Sequence, residues 1–387
     1  MKPSAFDNPN GEFKSIEKGK FKGKLTFVPN KIPTNLENIY DSKISTLLSK
    51  ADLKLGELNG CGQNDPNIDF LVFPYVNLEA VYSSQIEGTQ TSISDFYRFE
   101  AEKNGAALPD QQEVRNYVNA MLYGFKRLEE ENQIDLNLVK KLHEMLLKKR
   151  INILGVPGEI RDRQNWIAPL NVPIELATYV PPKADELKGL LLDWELFVQK
   201  DHEIPVLLQT ALIHYQFEAI HPFLDGNGRI GRLLLSLFLA QRGCLKHPIL
   251  FLSFYFQKNR SEYYERLLKV SQSSDWRGWF TFFLNGVIQQ ANNSIRLSRR
   301  INELWDSYHM KIRKKKVTAS TIKLLDSLFK DNPVIYTSQV AEDLGIHLMT
   351  AKKAILILER QGILKKSKTK KPIYYYAHEI LDTLQNP

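Results

Sequence analysis

A chain of 387 residues with 43% hydrophobic and 25% charged residues has the make-up of an ordinary globular protein and the length for two or three domains. Two cysteines, Cys61 and Cys244, exclude a disulfide framework or a cysteine-built metal site; no apolar run reaches membrane-spanning length, and the polar start MKPSAFDNPNGEFKS lacks a signal-peptide core, so a cytoplasmic protein is expected. The net charge of +8 is unevenly placed: residues 311–387 hold 15 Lys+Arg against 7 Asp+Glu, which leaves residues 1–310 balanced and puts any polyanion-binding role in the C-terminal segment.

Residues 1–34 are rich in Lys, Pro, Asn and Gly, show no helical periodicity and read as an extended arm. From Asn35 apolar residues recur at three and four (Leu36, Ile39, Ile44, Leu47, Leu48), and LVFPYVNLEAVYSSQIEGTQTS predicts another helix stopped at Gly88, which makes 35–109 an N-terminal helical region. Residues 110–308 form a core. VRNYVNAMLYGFKRLEE and LNLVKKLHEMLLKKR give two amphipathic helices, and periodicity then vanishes between Asn152 and Pro182, where Pro, Gly, Arg and short apolar patches suit a β-hairpin or an extended flap. Helices resume at LKGLLLDWELFVQ, PVLLQTALIHYQFEAI, RLLLSLFLAQRG, SEYYERLLKVS and the long aromatic stretch from DWRGWF to Tyr308. KIRKKK reads as a linker. Residues 317–387 then give helix, short helix, a turn with Gly345, helix, and a basic two-stranded hairpin ending IYYYAH, the pattern of a winged helix-turn-helix.

Chemistry concentrates in HPFLDGNGRIGR, residues 221–232, a loop that leads into a helix N-terminus. Gly226 and Gly228 allow close backbone approach, and the helix start turns free N–H groups and its positive dipole end towards an anion such as phosphate. Arg229 and Arg232 are planar cations suited to phosphate oxygens, Asn227 is a donor for a non-bridging oxygen, and Asp225 is a hard oxygen ligand for Mg²⁺. His221, on the upstream side, titrates near working pH as a general base requires. Ile230 and Gly231 complete the segment and are counted with it as nucleotide-binding residues. His214, seven residues upstream on an apolar helix, reads as a packed core histidine, and the aromatics of DWRGWFTFFL as core.

The segment matches the motif of Fic-type nucleotidyltransferases, HPF-x-[D/E]-GN-G-[R/K]-x-x-R, at nine fixed residue types in twelve positions. The chain resembles this family over most of residues 35–300. The related Doc-like toxins phosphorylate and carry Lys in place of the second glycine; Gly228 places this chain nearer the AMP-transferring branch. The resemblance implies a mainly α fold, a Fic helical core with a small β-hairpin flap and a C-terminal winged-helix domain after it. It implies that AMP passes from ATP to a Tyr, Ser or Thr hydroxyl of a protein target, with His221 as base, Asp225 holding Mg²⁺, and Gly226, Asn227, Gly228, Arg229 and Arg232 holding phosphates. The family's flap, which pins the target chain by strand-like pairing, falls at Asn165, Trp166, Ile167 and Ala168. Tyr263 and Tyr264 resemble the tyrosine pair of the adenine pocket, with ordinary helix packing as the alternative.

SSQIEG, with Ser83, Glu87 and Gly88, matches the family's inhibitory pattern [S/T]-x-x-x-E-[G/N], in which the glutamate pairs with the last motif arginine; a plain helix end is the alternative. Three functions remain open at this point: a self-inhibited protein adenylyltransferase, an enzyme removing AMP through the same site, and a DNA-binding regulator with a Fic-like sensor core. Duplex DNA bound by 317–387 and a homodimer are further expectations, and no membrane partner is expected. The lysines at 365–371 lie on the wing, where they contact phosphates or are merely solvated.

Overall fold

The computed structural model describes all residues except 38, 103–107, 151–153, 170–171, 314, 316 and 370–371. Residues 1–34 are not an extended arm throughout: β1 (Gly11–Ser15) and β2 (Leu25–Pro29) pair antiparallel, Gly11 opposite Pro29 and Ser15 opposite Leu25. Phe6, Phe13 and Phe27 cluster on this hairpin, and the buried Phe27 ring anchors it to the helices. Five residues per strand are too few for a two-residue alternation to stand out, and Lys and Gly mask it further.

The helices follow in chain order. α1 (Ser42–Asn64) begins where the Asp41 carboxylate accepts from Lys43 N and Ile44 N, both at 3.0 Å, seven residues after the apolar periodicity starts. α2 (Asp69–Ile86) contains Pro74 and is buried along nearly its whole second half. α3 (Ile93–Ala101), capped by Ser92, had no clear sequence signal. α4 (Pro109–Glu131), α5 (Leu136–Leu146) and α6 (Leu187–Gln199) surround α7 (Val206–Ile220) and α8 (Asn227–Gln241). These two are apolar on almost every side, as helices at the centre of a bundle must be. Trp194 of α6 and Trp279 donate their indole N–H to the carbonyls of Ile213 (3.0 Å) and Ala211 (2.9 Å), tying α7 to its neighbours. α9 (Leu252–Lys258) and α10 (Arg260–Ser273) precede α11 (Trp276–Arg313), a single helix of 38 residues that runs through the start of the expected linker.

The segment expected as a flap lies between α5 and α6. Among the described residues it holds one antiparallel bridge, Ile167 with Tyr179, rather than two strands. The N-terminal hairpin covers it: Phe27 N–H donates to Val180 O at 2.8 Å, and Phe21 meets Trp166 edge-on at 5.5 Å.

Beyond α11 come α12 (Ala319–Lys330), β3 (Val334–Ile335), α13 (Thr337–Asp343), α14 (Leu348–Arg360), β4 (Lys365–Lys366), β5 (Tyr375–Tyr376) and α15 (His378–Gln385). The sheet is three-stranded and antiparallel, in the order β3-β5-β4, where the sequence suggested two strands. Lys365 and Lys366 are exposed on β4; Lys370 and Lys371 lie outside the described residues. This C-terminal unit rests directly on α2 and α3. Phe329 packs on Phe70, with ring centroids 6.3 Å apart, Asn332 donates to Tyr97 O at 2.8 Å, and Gln385 to Ser94 Oγ at 2.5 Å.

Candidate active site

α7 ends at His221, which adopts φ +52° and hands its N–H back to Phe217 O at 3.0 Å. α8 begins after Gly226, at φ +81°, so the loop between the two central helices is closed by left-handed residues at both ends. Ile230 N–H to Gly226 O, 3.0 Å, is the first helical bond of α8. The N–H groups of Asn227, Gly228 and Arg229 therefore precede any intrahelical acceptor, which leaves them for an anion.

Four side chains fix this loop. Asn227 turns both of its amide atoms on Phe223, accepting from its N–H and donating to its O, each at 2.8 Å. In this structure the Asn227 side chain braces the loop. His143 of α5 stacks on the Phe223 ring at 3.7 Å, accepts from Gly158 N–H at Nδ1 (2.8 Å) and donates from Nε2 to Asp225 O (3.0 Å). Burial pushes it down to about 4, so it stays neutral in this role. Asn165 donates to Phe223 O at 2.9 Å. Arg161, buried, donates to His221 O (2.8 Å) and Pro182 O (2.6 Å), capping the end of α7 and joining it to the flap. His143 and Arg161 carried no local sequence signal.

The His221 Nδ1–H donates to Glu218 O at 3.3 Å. A carbonyl only accepts, so this bond selects the tautomer whose Nε2 lone pair is open to a proton. The expectation that His221 titrates near working pH does not hold: burial, and then the Arg161 charge, lower its pKa to about 4, which keeps the ring unprotonated at neutral pH.

Both motif arginines are buried and committed to carboxylates. Arg229 Nη1 donates to Glu113 Oε2 at 2.6 Å and Nη2 to Asp225 Oδ1 at 3.2 Å. Arg232 reaches across to the end of α2: Nε donates to Ser83 Oγ and Nη2 to Ser83 O, both at 2.9 Å, and Nη2 to Glu87 Oε1 at 2.7 Å. Burial opposes the Glu87 charge, but Arg232 outweighs it and holds the carboxyl below its usual range. A Cβ on Gly228 would collide with Glu87 Oε1, so this glycine makes room for the carboxylate beside Arg232. Gly88, at φ +107°, turns the chain away after α2.

The remaining predicted residues divide. Gly231 lies against Glu218 and His214, and the Ile230 side chain is core, so neither offers a side-chain contact to a nucleotide. Tyr263 is buried, and its hydroxyl donates to His214 Nε2 at 2.7 Å, while His214 Nδ1–H donates to Gly231 O at 3.1 Å; both belong to the packing behind α8, as expected for His214. Tyr264 is exposed beside it, with ring centroids 5.3 Å apart. Trp166 donates to Val172 O at 2.8 Å, Ile167 carries the single bridge, and Ala168 packs at the flap's own small cluster.

A family model described as Fic/DOC family N-terminal matches residues 45–126, and one described as Fic/DOC family matches 133–239. Curated relatives named Protein adenylyltransferase Fic are 29% identical in Drosophila virilis and 28% in Drosophila ananassae, each over 181 residues and 46% of this chain. The matched stretch spans only 34% and 33% of those relatives. Among solved structures, a Fic family protein from Desulfovibrio desulfuricans superposes with a TM-score of 0.55 at 17% identity, over 87% of this chain and 96% of its own. A Fic-1 chain from C. elegans gives 0.52 at 20% identity, over 65% and 71%. At these identities the structures share the fold. Over residues 45–239, which hold both the 221–232 loop and Glu87, the chain belongs to the Fic/DOC family.

Proposed function

We propose that this protein transfers AMP from ATP to a hydroxyl of a protein target and of itself, and that Glu87 holds it inactive at rest. The target oxygen gives its proton to His221 Nε2 and attacks the α-phosphorus; the bond to the β-phosphate oxygen breaks, and pyrophosphate leaves. The free N–H groups at the start of α8 receive phosphate oxygens, and Arg232 receives the γ-phosphate once Glu87 releases it. The flap at 165–168 lays the target chain beside His221 by strand-like pairing through Ile167, and Tyr264 offers a stacking face for adenine. Asp225, a partly exposed carboxylate at the loop, fits a hard divalent cation, and Mg²⁺ bound there would neutralise phosphate charge. The observation that carries the reading is the set of three hydrogen bonds from Arg232 to Ser83 and Glu87 beside a base-competent His221.

The test is incorporation of α-labelled ATP into the protein itself. His221→Ala is expected to cut labelling by about 10²–10⁴-fold while ATP still binds, the usual loss for a general base. Labelling equal to the parent contradicts the assignment. We further read 317–387 as a winged helix-turn-helix and the chain as cytoplasmic; among the described residues no helix is long and apolar enough to cross a membrane. Retardation of duplex DNA by the full chain, weakening steeply as salt rises, is expected from the +8 charge on 311–387. No retardation even at low salt contradicts a DNA partner.

A further inference from the structure

Asp225 is the only acidic side chain in the 221–232 loop, and both of its oxygens are taken. Oδ1 accepts from Arg229 Nη2 at 3.2 Å and Oδ2 from Arg150 Nη1. The same two arginines meet again on Glu113 of α4: Arg150 Nε lies 2.7 Å from Oε1, and Arg229 Nη1 2.6 Å from Oε2. Arg150, Glu113, Arg229 and Asp225 thus form a closed ring of alternating charge with no net charge. Arg150 sits just after α5, remote from the loop in sequence, and no family motif pointed to it.

The two arginines are not held alike. The Arg229 side chain is 2% exposed and locked between helices, whereas that of Arg150 is 26% exposed, on the same open side as Asp225 at 29%. Freeing an Asp225 oxygen by moving Arg229 would strand a buried guanidinium, a severe cost. Moving Arg150 strands nothing: its partly exposed guanidinium swings into water as a unit, and Arg229 keeps both Glu113 Oε2 and the remaining Asp225 oxygen. Only one of the four residues can leave cheaply, and it is the one on Oδ2.

We propose that Arg150 is a placeholder for the divalent cation, occupying Asp225 Oδ2 in the resting protein and yielding it when the cation arrives with nucleotide. The exchange replaces one positive charge on Asp225 by two. With Arg150 swung out, the cation and Arg229 face Glu113 and Asp225 with a net charge of +1, suited to a polyphosphate. Without nucleotide that excess charge has no counterpart, and Arg150 returns. Arg150 is therefore a positioning residue: it sets the coupling between metal and nucleotide and does not itself touch the reacting atoms.

The inference rests on Asp225 being the metal ligand, and the test separates the two claims. Mn²⁺ is titrated into the full chain saturated with ADP, and free Mn²⁺ is read by electron paramagnetic resonance for the parent, Asp225→Ala, Arg150→Ala and Arg150→Gln. Asp225→Ala should lose the Mn²⁺ bound beyond what ADP alone holds. Arg150→Ala and Arg150→Gln should each bind Mn²⁺ about fivefold tighter than the parent, the gain expected when one partly exposed ion pair stops competing. A damaged site would bind metal more weakly, so a gain cannot come from lost structure. If Asp225→Ala binds Mn²⁺ as the parent does, the metal assignment is wrong. If Asp225→Ala loses the metal and neither Arg150 variant gains affinity, Arg150 is not a placeholder.

Discussion

Asn227 sits in the middle of the GNG stretch, where its amide invites a role on phosphate, and both of its polar atoms bond the backbone of Phe223. Asn227→Ala would leave the buried Phe223 N–H unpaired, its C=O keeping only Asn165, and should lower stability by about 1–3 kcal/mol, read as a lower urea midpoint at unchanged slope. An unchanged midpoint would return Asn227 to a purely ligand-facing role. Titrating residues in the core make a second claim. Burial lowers His143, His214 and His221 from 6.5 to about 4, 3 and 4, and raises Glu79 and Glu218 from 4.5 to about 7. Below 6.5 the unfolded chain takes up histidine protons that the folded chain refuses, so stability falls with pH; above 4.5 it sheds glutamate protons that the folded chain keeps, so stability falls as pH rises. Between 4.5 and 6.5 the three histidines outweigh the two glutamates slightly. Below 4.5 only the histidines act, joined by the Glu87–Arg232 pair, whose carboxyl is held low and whose contribution is lost on protonation. The thermal midpoint should therefore peak near pH 6.5 and fall most steeply just below 4.5. A midpoint level from pH 6.5 to about 3.5 contradicts buried neutral histidines.

Elements whose information is local were legible in the sequence. α7 and α8 show as apolar runs, and the loop between them shows as a motif, because residue type and spacing within twelve positions define a loop closed by two helix ends. α1 was legible in kind but not in its start, since the apolar period runs on through residues that Asp41 caps off. α3, α9 and α15 span 9, 7 and 8 residues, too short for a period to stand out from noise. The flap was legible as a hairpin or extended segment from its Pro and Gly, but its shape is set by distant partners, the N-terminal hairpin and Arg161. Site residues follow the same rule. Arg161, Arg150, His143 and Glu113 reach the loop across 60, 75, 82 and 116 residues of chain, distances at which no spacing rule in a single sequence operates.

At the scale of the whole molecule the central contact runs from Arg232 in α8 to Ser83 and Glu87 at the end of α2, 149 and 145 residues apart. It depends on where α2 is held, and α2 is held from both sides: α4 and α9 pack on it within the core, and α12 of the C-terminal unit rests on its start through Phe329 and Phe70. The fold thereby presents Glu87 to Arg232 in the resting protein. On the proposed reading, a carboxylate at such high effective concentration outcompetes a phosphate for the same guanidinium and leaves ATP in an unproductive pose. Glu87→Gly removes the competitor and leaves Arg232, His221 and the loop in place. The direct measurement is a time course of α-labelled ATP incorporation for the parent, Glu87→Gly, and Glu87→Gly combined with Arg232→Ala. Glu87→Gly should label roughly tenfold faster or more, the ratio that loss of one charge-assisted hydrogen bond supplies, and the added Arg232→Ala should erase the gain. If Glu87→Gly labels no faster than the parent, the contact between α2 and α8 only supports the fold, and Glu87 is not an inhibitor.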